Sequence, residues 1–297
     1  MIRREEIMAT ALARLILDPK APPARHIAVG AASPIPAAAC WLVRVLGHDV
    51  RLSLLHKHRG NPFTDGTREL FDLAGQGRID LFFLGGGQID GSANINLIGT
   101  GEWPGTAARF PGSFGSAFMY LMTPRTILFR EEHSPRVLVP RVDIISAPGV
   151  SAPGVFRRGT AQALVTGRAV FRFSSPPPLA GGGWGEGAGP VGKETPDRVL
   201  HDGVGRGRSR FILESTHPGE TAETIRAATG FAYDAPQTVP VTPAPSAEQL
   251  AALRGPVRAQ MLETYPEFCR RVWAPGGDGR DKPGHAGNHD ETTEQAA

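Results

Sequence analysis

The chain has 297 residues, 40% hydrophobic and 21% charged, with a formal net charge of +3. That is a globular composition, long enough for one large domain or two small ones. No apolar run reaches the ~18 residues of a membrane span; the longest, Ala31 to Leu46, is broken by Pro34, Pro36 and Arg44.

The opening residues Arg3, Arg4, Glu5 and Glu6 lead into no secretory signal, so the cytoplasm is the expected compartment. Cys40 and Cys269 are too few for a disulfide framework or a cysteine-built zinc site. Residues 274–297 hold two bases and five acids, which leaves the rest of the chain at +6. Of the 32 bases 28 are arginine, but they are scattered without a basic run or interleaved aromatics. Nucleic acid is therefore not an expected partner, and neither is a membrane.

In chain order, residues 4–17 predict an amphipathic helix with Ile7, Met8, Ala11, Leu12 and Leu15 on one face. His26 to Gly30 reads as a strand, Pro36 to Leu46 as a helix, Val50 to Leu55 as a strand and Thr67 to Leu73 as a short helix. Ile79 to Leu84 reads as a strand that is apolar throughout after Asp80, which implies burial on both faces. Ile127 to Arg130 and Val142 to Ser146 read as further short strands. Glu220 to Thr229 carries acids in a first helical turn, and Ser246 caps a last helix over Ala247 to Arg254. This alternation predicts an α/β fold with a mostly parallel, covered sheet.

Two segments interrupt the pattern. Residues 174–209 contain ten Gly and five Pro, and residues 274–297 have almost no apolar side chain. Neither buries enough surface to offset chain entropy. The first is expected to be a low-complexity insertion and the second a disordered tail, with residues 1–273 forming a single domain. The insertion's flanks, Ala163 to Phe173 and Ser209 to Thr216, alternate apolar and polar residues. They read as a β-hairpin with a stretched turn, since long surface insertions cost little closure entropy.

The most informative stretch runs from the apolar strand into Gly85, Gly86 and Gly87, followed by Gln88, Asp90, Asn94 and Asn96. Consecutive glycines turn the chain sharply and expose backbone N–H groups, which bind anions or polarised carbonyl oxygens. A tight turn whose Asn side chains bond their own backbone is the other reading. Neither a dinucleotide-binding G-x-G-x-x-G before a long helix nor a phosphate-loop G-K-[ST] is present.

The stretch F-L-G-G-G-Q-I-D-G-S-A-N-I-N resembles the G-G-A-Q-I-D-x-x-G-N-x-N motif of the beta subunits of family I CoA-transferases, the glutaconate CoA-transferase type. Three more segments agree in order. Arg109 to Gly115 (R-F-P-G-S-F-G) resembles that family's R-x-x-G-S-G-G loop. His133 to Gly149 resembles its H-x-x-R-x-F-V-x-x-V-D-x-x-T-S-P-G segment. Leu213 to Glu220 with Ala228 to Phe231 resembles its "H-P-G … T-G-F" region. The resemblance covers roughly residues 5–255 outside the insertion.

It implies a mostly parallel covered sheet of the CoA-transferase or phosphosugar-isomerase-like type, with a C-terminal β-hairpin carrying the disordered insertion. It also implies a beta-type subunit that shares its active site with an alpha-type subunit and acts on an acyl-CoA thioester. Coenzyme A is then substrate, with no permanently bound cofactor. The residues implied at the CoA and oxyanion site are Gly85, Gly86, Gly87, Gln88, Asp90, Asn94, Asn96, Arg109, Gly112, Ser113 and Gly115.

The family's nucleophile is a glutamate ending the strand before the glycine loop. The corresponding place is Leu54 to His58, and no Asp or Glu lies from Arg51 to Thr64. The catalytic residue is therefore unassigned. Hydrolysis or C–C cleavage with an acid from the partner, or a silent structural role, stand beside transfer. His56-Lys57-His58 reads as a solvated strand end, because a metal would need a further ligand and none lies nearby in sequence. Glu131 and Glu132 read as surface charge, and Asp143 as a cap or a partner of Arg136 or Arg141. Phe114 and Ala93 stand where the family has glycine. The phenyl ring is expected to narrow the pocket or re-aim the loop. The alanine is expected to cost roughly 1 kcal/mol if its φ is positive.

Overall fold

The computed structural model describes residues 1–57, 63, 65, 67–151, 155–174 and 209–274. The chain opens with α1 (Arg4–Ile16), β1 (His26–Val29), α2 (Pro34–Val45), β2 (Arg51–Leu54), α3 (Arg68–Gly75) and β3 (Leu81–Leu84). Four two-residue strands follow: β4 (Gln88–Ile89), β5 (Ile95–Asn96), β6 (Gly99–Thr100) and β7 (Ala108–Arg109). Next come α4 (Ser116–Met122), β8 (Arg125–Arg130), β9 (Thr160–Thr166), β10 (Ala169–Ser174) and β11 (Arg210–Thr216). The chain closes with α5 (Ala222–Ala228), α6 (Ala247–Ala252), a π-turn over Leu253–Val257, α7 (Arg258–Met261) and α8 (Pro266–Trp273). Pro256 lies inside the π-turn and has no N–H to give the helical ladder, which accounts for the break between α6 and α7.

Seven strands form one sheet in the order β11-β10-β9-β8-β3-β1-β2. The steps from β2 through β9 are parallel, and β10 and β11 add antiparallel strands at one edge. The sheet is mostly parallel, as the alternation of elements predicts. Period-2 geometry sends neighbouring residues of each strand to opposite faces. Ile27, Val29, Leu81, Phe83, Ile127 and Val165 pack beneath α1, α2 and the C-terminal helices. Ala28, Phe82, Leu84, Leu128 and Leu164 pack with Leu70 of α3, Met119 and Tyr120 of α4, and Ile225 of α5. Both faces of β3 are covered, which is why its sequence is apolar throughout.

Local chemistry sets most boundaries. The Ser246 and Thr221 side chains accept from the N–H three residues on and start α6 and α5. In α1 the buried face is rotated from the predicted one. Met8, Leu12 and Leu15 are buried, Ile7 is half-buried, and Glu6 and Thr10 are buried with them. Glu6 can be buried because it accepts from the Arg3 N–H (2.9 Å), Arg254 Nε (2.7 Å) and Trp273 Nε1 (3.2 Å). The hydrogen bonds and charge from Arg254, with the Arg3 N–H, outweigh the burial that opposes ionisation and hold its carboxyl below the usual range.

Three expectations are corrected. Val142 to Ser146 is not a strand: it is bent at Asp143, Ile144 and Ser146 and tied to β5 through Ser146 N to Ile95 O (2.9 Å) and a single bridge at Ala147. Its polar groups bond to the glycine loop instead of a ladder. Ala163 to Phe173 is not one strand but the end of β9 and most of β10, turning at Gly167. A Cβ there would lie 2.3 Å from Glu131 O, so the turn packs too tightly for a side chain. Helices α4, α7 and α8 have no counterpart among the elements expected from sequence. The hairpin itself is present. β10 and β11 pair antiparallel out to Ser174 and Arg210, whereas residues 175–208 and 275–297, expected as insertion and tail, lie outside the described residues. No described helix is long and apolar enough to cross a membrane.

Candidate functional site

Parallel strands end together at one edge of a covered sheet, and the crevice there is where such folds hold ligands. In this chain a cavity of about 1010 Å³ opens at the carboxyl ends of β1, β2, β3 and β8. Residues 30–35 after β1, Leu55 after β2, residues 85–87 after β3 and residues 129–132 of β8 and its exit contribute to its wall. Residues 110–116 close it opposite, with Leu70 and Phe71 of α3.

Glycine is required where these loops touch. A Cβ on Gly86 would lie 2.8 Å from Gln88 O and 2.9 Å from Ile95 Cγ2. One on Gly87 would lie 2.3 Å from the Phe110 ring, and one on Gly115 2.0 Å from the Phe71 ring. The Gly87 N–H is committed to Asn96 O at 2.8 Å.

Of the residues predicted for the site, Gly85, Gly86, Gly87, Gly112, Ser113 and Gly115 line the cavity. Gln88, Asp90, Asn94 and Asn96 do not; they are buried behind the loop and bond one another and its neighbours. Gln88 Oε1 accepts from Asn96 Nδ2 (2.7 Å) and Asp143 N (3.0 Å), while Gln88 Nε2 donates to Asp143 Oδ2 (3.1 Å). Asp90 accepts from the N–H groups of Ser92 (3.0 Å) and Asn94 (3.1 Å) and from Asn94 Nδ2 (3.1 Å). Asn94 Oδ1 accepts from Gly149 N (2.9 Å). Burial pushes the Asp90 carboxyl up against these donors. The motif's polar residues thus support the glycine loop from behind, and the segment around Asp143 is fastened to it. Arg109, on exposed β7, sets its guanidinium 5.0 Å from the Trp103 ring and does not line the cavity.

Both substituted glycine positions are left-handed: φ is +60° at Ala93 and +42° at Phe114. The expected backbone cost therefore applies at Ala93. The Phe114 ring lies at the rim, 77% exposed and 5.7 Å from Phe71.

At the β2 tip Leu55 faces the cavity, His56 stacks on Tyr265 at 5.6 Å, and Lys57 Nζ sits 5.7 Å from the Trp41 ring. His58 lies outside the described residues. The carboxylates lining the cavity are Glu131 and Glu132 at the exit of β8. They are about one third exposed, but each is paired with an arginine. Arg271 Nη1 donates to Glu131 at 2.9 Å. Glu132 accepts from Ser134 Oγ at 2.6 Å and from Arg136 Nε at 3.2 Å. For Glu132 the Ser134 and Arg136 contacts outweigh burial and keep the carboxyl below the usual range. Arg136 pairs with Glu132 and not with Asp143, which accepts from Gln88 and from Gly101 N (2.8 Å). Arg4, Arg130 and Arg136 also line the cavity. They are not among the residues predicted for the site, although Arg130-Glu131-Glu132 directly after an apolar strand was the available signal.

The two histidines of the resembling segments stand apart from the cavity. His133 bonds the hydroxyls of Thr166 (2.8 Å) and Thr229 (2.9 Å). His217 Nε2–H donates to Thr166 O (2.9 Å), so its Nδ1 accepts from the Thr242 hydroxyl (3.0 Å). Among the described residues no group of three His, Cys, Asp or Glu is placed to hold a metal ion.

No family model matches the chain. It is 30% identical to the B subunit of 3-oxoadipate CoA-transferase from Pseudomonas knackmussii over 189 residues, 63% of each chain. The chain thus matches less than two thirds of that relative's length. Its fold is similar to the decarboxylase AibA/AibB, with a TM-score of 0.63 and 23% identity over 86% of this chain and 94% of that one. It is also similar to glutaconate coenzyme A-transferase of Acidaminococcus fermentans, with a TM-score of 0.65 and 17% identity over 92% and 98%. Over those 189 residues the chain is similar to a CoA-transferase B subunit, and its described residues carry the fold of the CoA-transferase structure.

Proposed function

We propose that this chain is the beta-type subunit of a hetero-oligomeric, CoA-transferase-like enzyme that acts on an acyl-CoA thioester in the cytoplasm. The observation that carries the reading is the glycine loop at residues 85–87, set in the wall of a 1010 Å³ cavity at the strand ends. In this reading Gly85, Gly86, Gly112, Ser113 and Gly115 border the thioester and its developing oxyanion. Gln88, Asp90, Asn94 and Asn96 hold the loop in shape, and Arg109 meets ligand or partner at the rim. Coenzyme A is substrate, with no resident cofactor. Residues 1–273 act as one domain, with residues 174–209 an insertion and 274–297 a tail.

The Leu55 side chain at the β2 tip favours a division of labour. A leucine cannot attack a thioester, and the two glutamates in the wall are each held by an arginine. The alpha-type partner then supplies the reacting acid, and hydrolysis or C–C cleavage of the thioester is as consistent with the site as transfer. The test is a tagged pull-down from the source cells read by native mass spectrometry, followed by acyl-CoA binding to what elutes. A stoichiometric partner of similar fold with a carboxylate at its own strand tip is expected. Elution of this chain alone, with no affinity for CoA esters, refutes the proposal.

A further inference from the structure

The cavity wall formed by residues 110–116 with Leu70 and Phe71 of α3 has no charged side chain, in contrast to the exit of β8. At its edge Phe114 combines two costs. Its backbone is left-handed, with φ at +42°, a conformation that among the described non-glycine residues it shares with Ala93. A bulky residue is an outlier there, because its Cβ crowds the following carbonyl oxygen. Its ring is also 77% exposed, so the strained backbone gains little burial in return. Strain of this kind persists only where the surroundings enforce it, and it gathers at ligand sites. Here two glycines enforce it. Gly112, at φ +104°, turns the loop, and Gly115 seats it on Phe71, whose ring a Cβ would meet at 2.0 Å. The Phe114 ring is thereby held 5.7 Å from Phe71, which packs edge-on to the exposed Phe118 at 5.8 Å.

We propose that Phe114 is a ligand-binding residue whose ring covers the pantetheine arm of the CoA thioester next to the sulfur. This rests on the acyl-CoA reading above. The resembling motif has glycine at this position, so the contact is an addition made by this chain. Chemistry selects the arm among the parts of the ligand. The nucleotide end carries phosphates, which an uncharged aromatic wall leaves without a counter-charge. The arm is a chain of methylenes and amides without charge, and it suits the faces of Phe71 and Phe114. Position agrees. Ser113 and Gly115, on either side of Phe114, are the residues assigned to the border of the thioester, and Phe114 stands at the rim. The arm is the part of the ligand that continues from the sulfur toward that rim. A ring laid over it takes apolar surface of both out of water.

The test is calorimetry with butyryl-CoA, free CoA and adenosine 3′,5′-bisphosphate, the last a nucleotide without the arm. Full-length wild type, Phe114→Gly and Phe114→Leu are used, each with the partner bound where the pull-down yields one. Phe114→Gly should bind butyryl-CoA and free CoA about tenfold more weakly, the worth of leaving about 60 Å² of apolar surface in water. Its affinity for the nucleotide probe should be unchanged, and Phe114→Leu should recover part of the loss. The melting temperature of ligand-free Phe114→Gly should stay close to wild type, because relief of the backbone offsets glycine's chain entropy and the exposed ring packs little. Unchanged binding of both CoA compounds by Phe114→Gly overturns the contact and leaves the acyl-CoA reading standing. A loss confined to butyryl-CoA puts the ring on the acyl group, and a loss shared by the nucleotide probe puts it on the adenine; each overturns the proposal. A fall of more than about 5 °C in melting temperature makes the ring part of the fold and overturns it too. So does failure of Phe114→Gly to hold a partner that wild type holds, which makes the ring an interface anchor. Wild type that binds no CoA compound removes the acyl-CoA reading itself, and the proposal with it.

Discussion

Acid should destabilise this protein well before its carboxylates titrate, and the cause is a pair of buried histidines. His133 and His217 are 7% and 3% exposed and flank Thr166 at the β9–β10 turn. Burial is the largest influence on each and lowers its pKa from 6.5 to about 4, although Glu220 nearby pulls the other way. Each ring is neutral in the folded protein and protonates near 6.5 when unfolded. The unfolded state therefore binds more protons below pH 6.5, and stability falls as pH drops from 6.5 toward 4. For each shift, linkage gives a loss of about 2 kcal/mol on going from pH 7 to pH 5. Together the two remove about 4 kcal/mol, a large share of the roughly 5–15 kcal/mol that holds a domain folded.

Other groups sort by sign and window. His26, lowered by burial and by Arg51, adds in the same direction. Glu6, Asp18, Glu132 and Glu220 have lowered pKa values, so their contributions are intact above 4.5 and are lost only below it. Asp90, raised by burial, opposes the loss. Urea unfolding at pH 7 and pH 5 measures the slope. Wild type should lose about 4 kcal/mol between them, and a His133→Gln, His217→Gln double variant less than half of that. An identical loss in both proteins would falsify the assignment to these rings.

Arg254→Ala strips the fully buried Glu6 carboxylate of its Nε (2.7 Å) and Nη2 (2.9 Å) donors and should cost about 3 kcal/mol in thermal unfolding. That is the lower end for a broken buried pair, because the arginine is 45% exposed; a cost under ~1 kcal/mol speaks against it. Gly87→Ala drives a Cβ into the Phe110 ring and should cost about 1–3 kcal/mol, most of it recovered by adding Phe110→Leu. Failure of that rescue means the loop does not rest on Phe110. Ala93→Gly relieves the φ of +60° about as much as glycine's extra chain entropy costs, so its melting point should stay close to wild type. Ala38→Gly in α2 is the control and should lose about 1 kcal/mol; equal losses would mean Ala93 is unstrained.

What the sequence revealed follows from how local each signal is. The apolar β3 strand and the three glycines after it are a contiguous pattern, and the cavity wall lies where they predict. The cap at Ser246 is equally local and equally legible. Val142 to Ser146 has strand-like alternation, but whether it joins a ladder depends on β5, some fifty residues away in sequence. The roles of Gln88, Asp90, Asn94 and Asn96 were half legible. Their hydrogen-bonding capacity is plain from residue type, but its direction, toward Asp143 and Gly149 behind the loop and away from the cavity, is set by tertiary structure. Arg130, Glu131 and Glu132 look solvated because charged residues after an apolar strand usually are. Only the convergence of β1, β3 and β8 turns that strand end into a cavity wall.

The wall has a polarity of its own, apolar at the β2 tip and charged at the β8 exit. The β2 tip presents Leu55 to a wall that also holds the apolar side chains of Phe71 and Leu84. The cavity's charge sits at the β8 exit, where both lining carboxylates pair with arginines and Arg130 lies 3.9 Å from Glu132. At that end the lining arginines outnumber the lining carboxylates by three to two. On the reading proposed above, the bond-breaking group comes from the partner subunit.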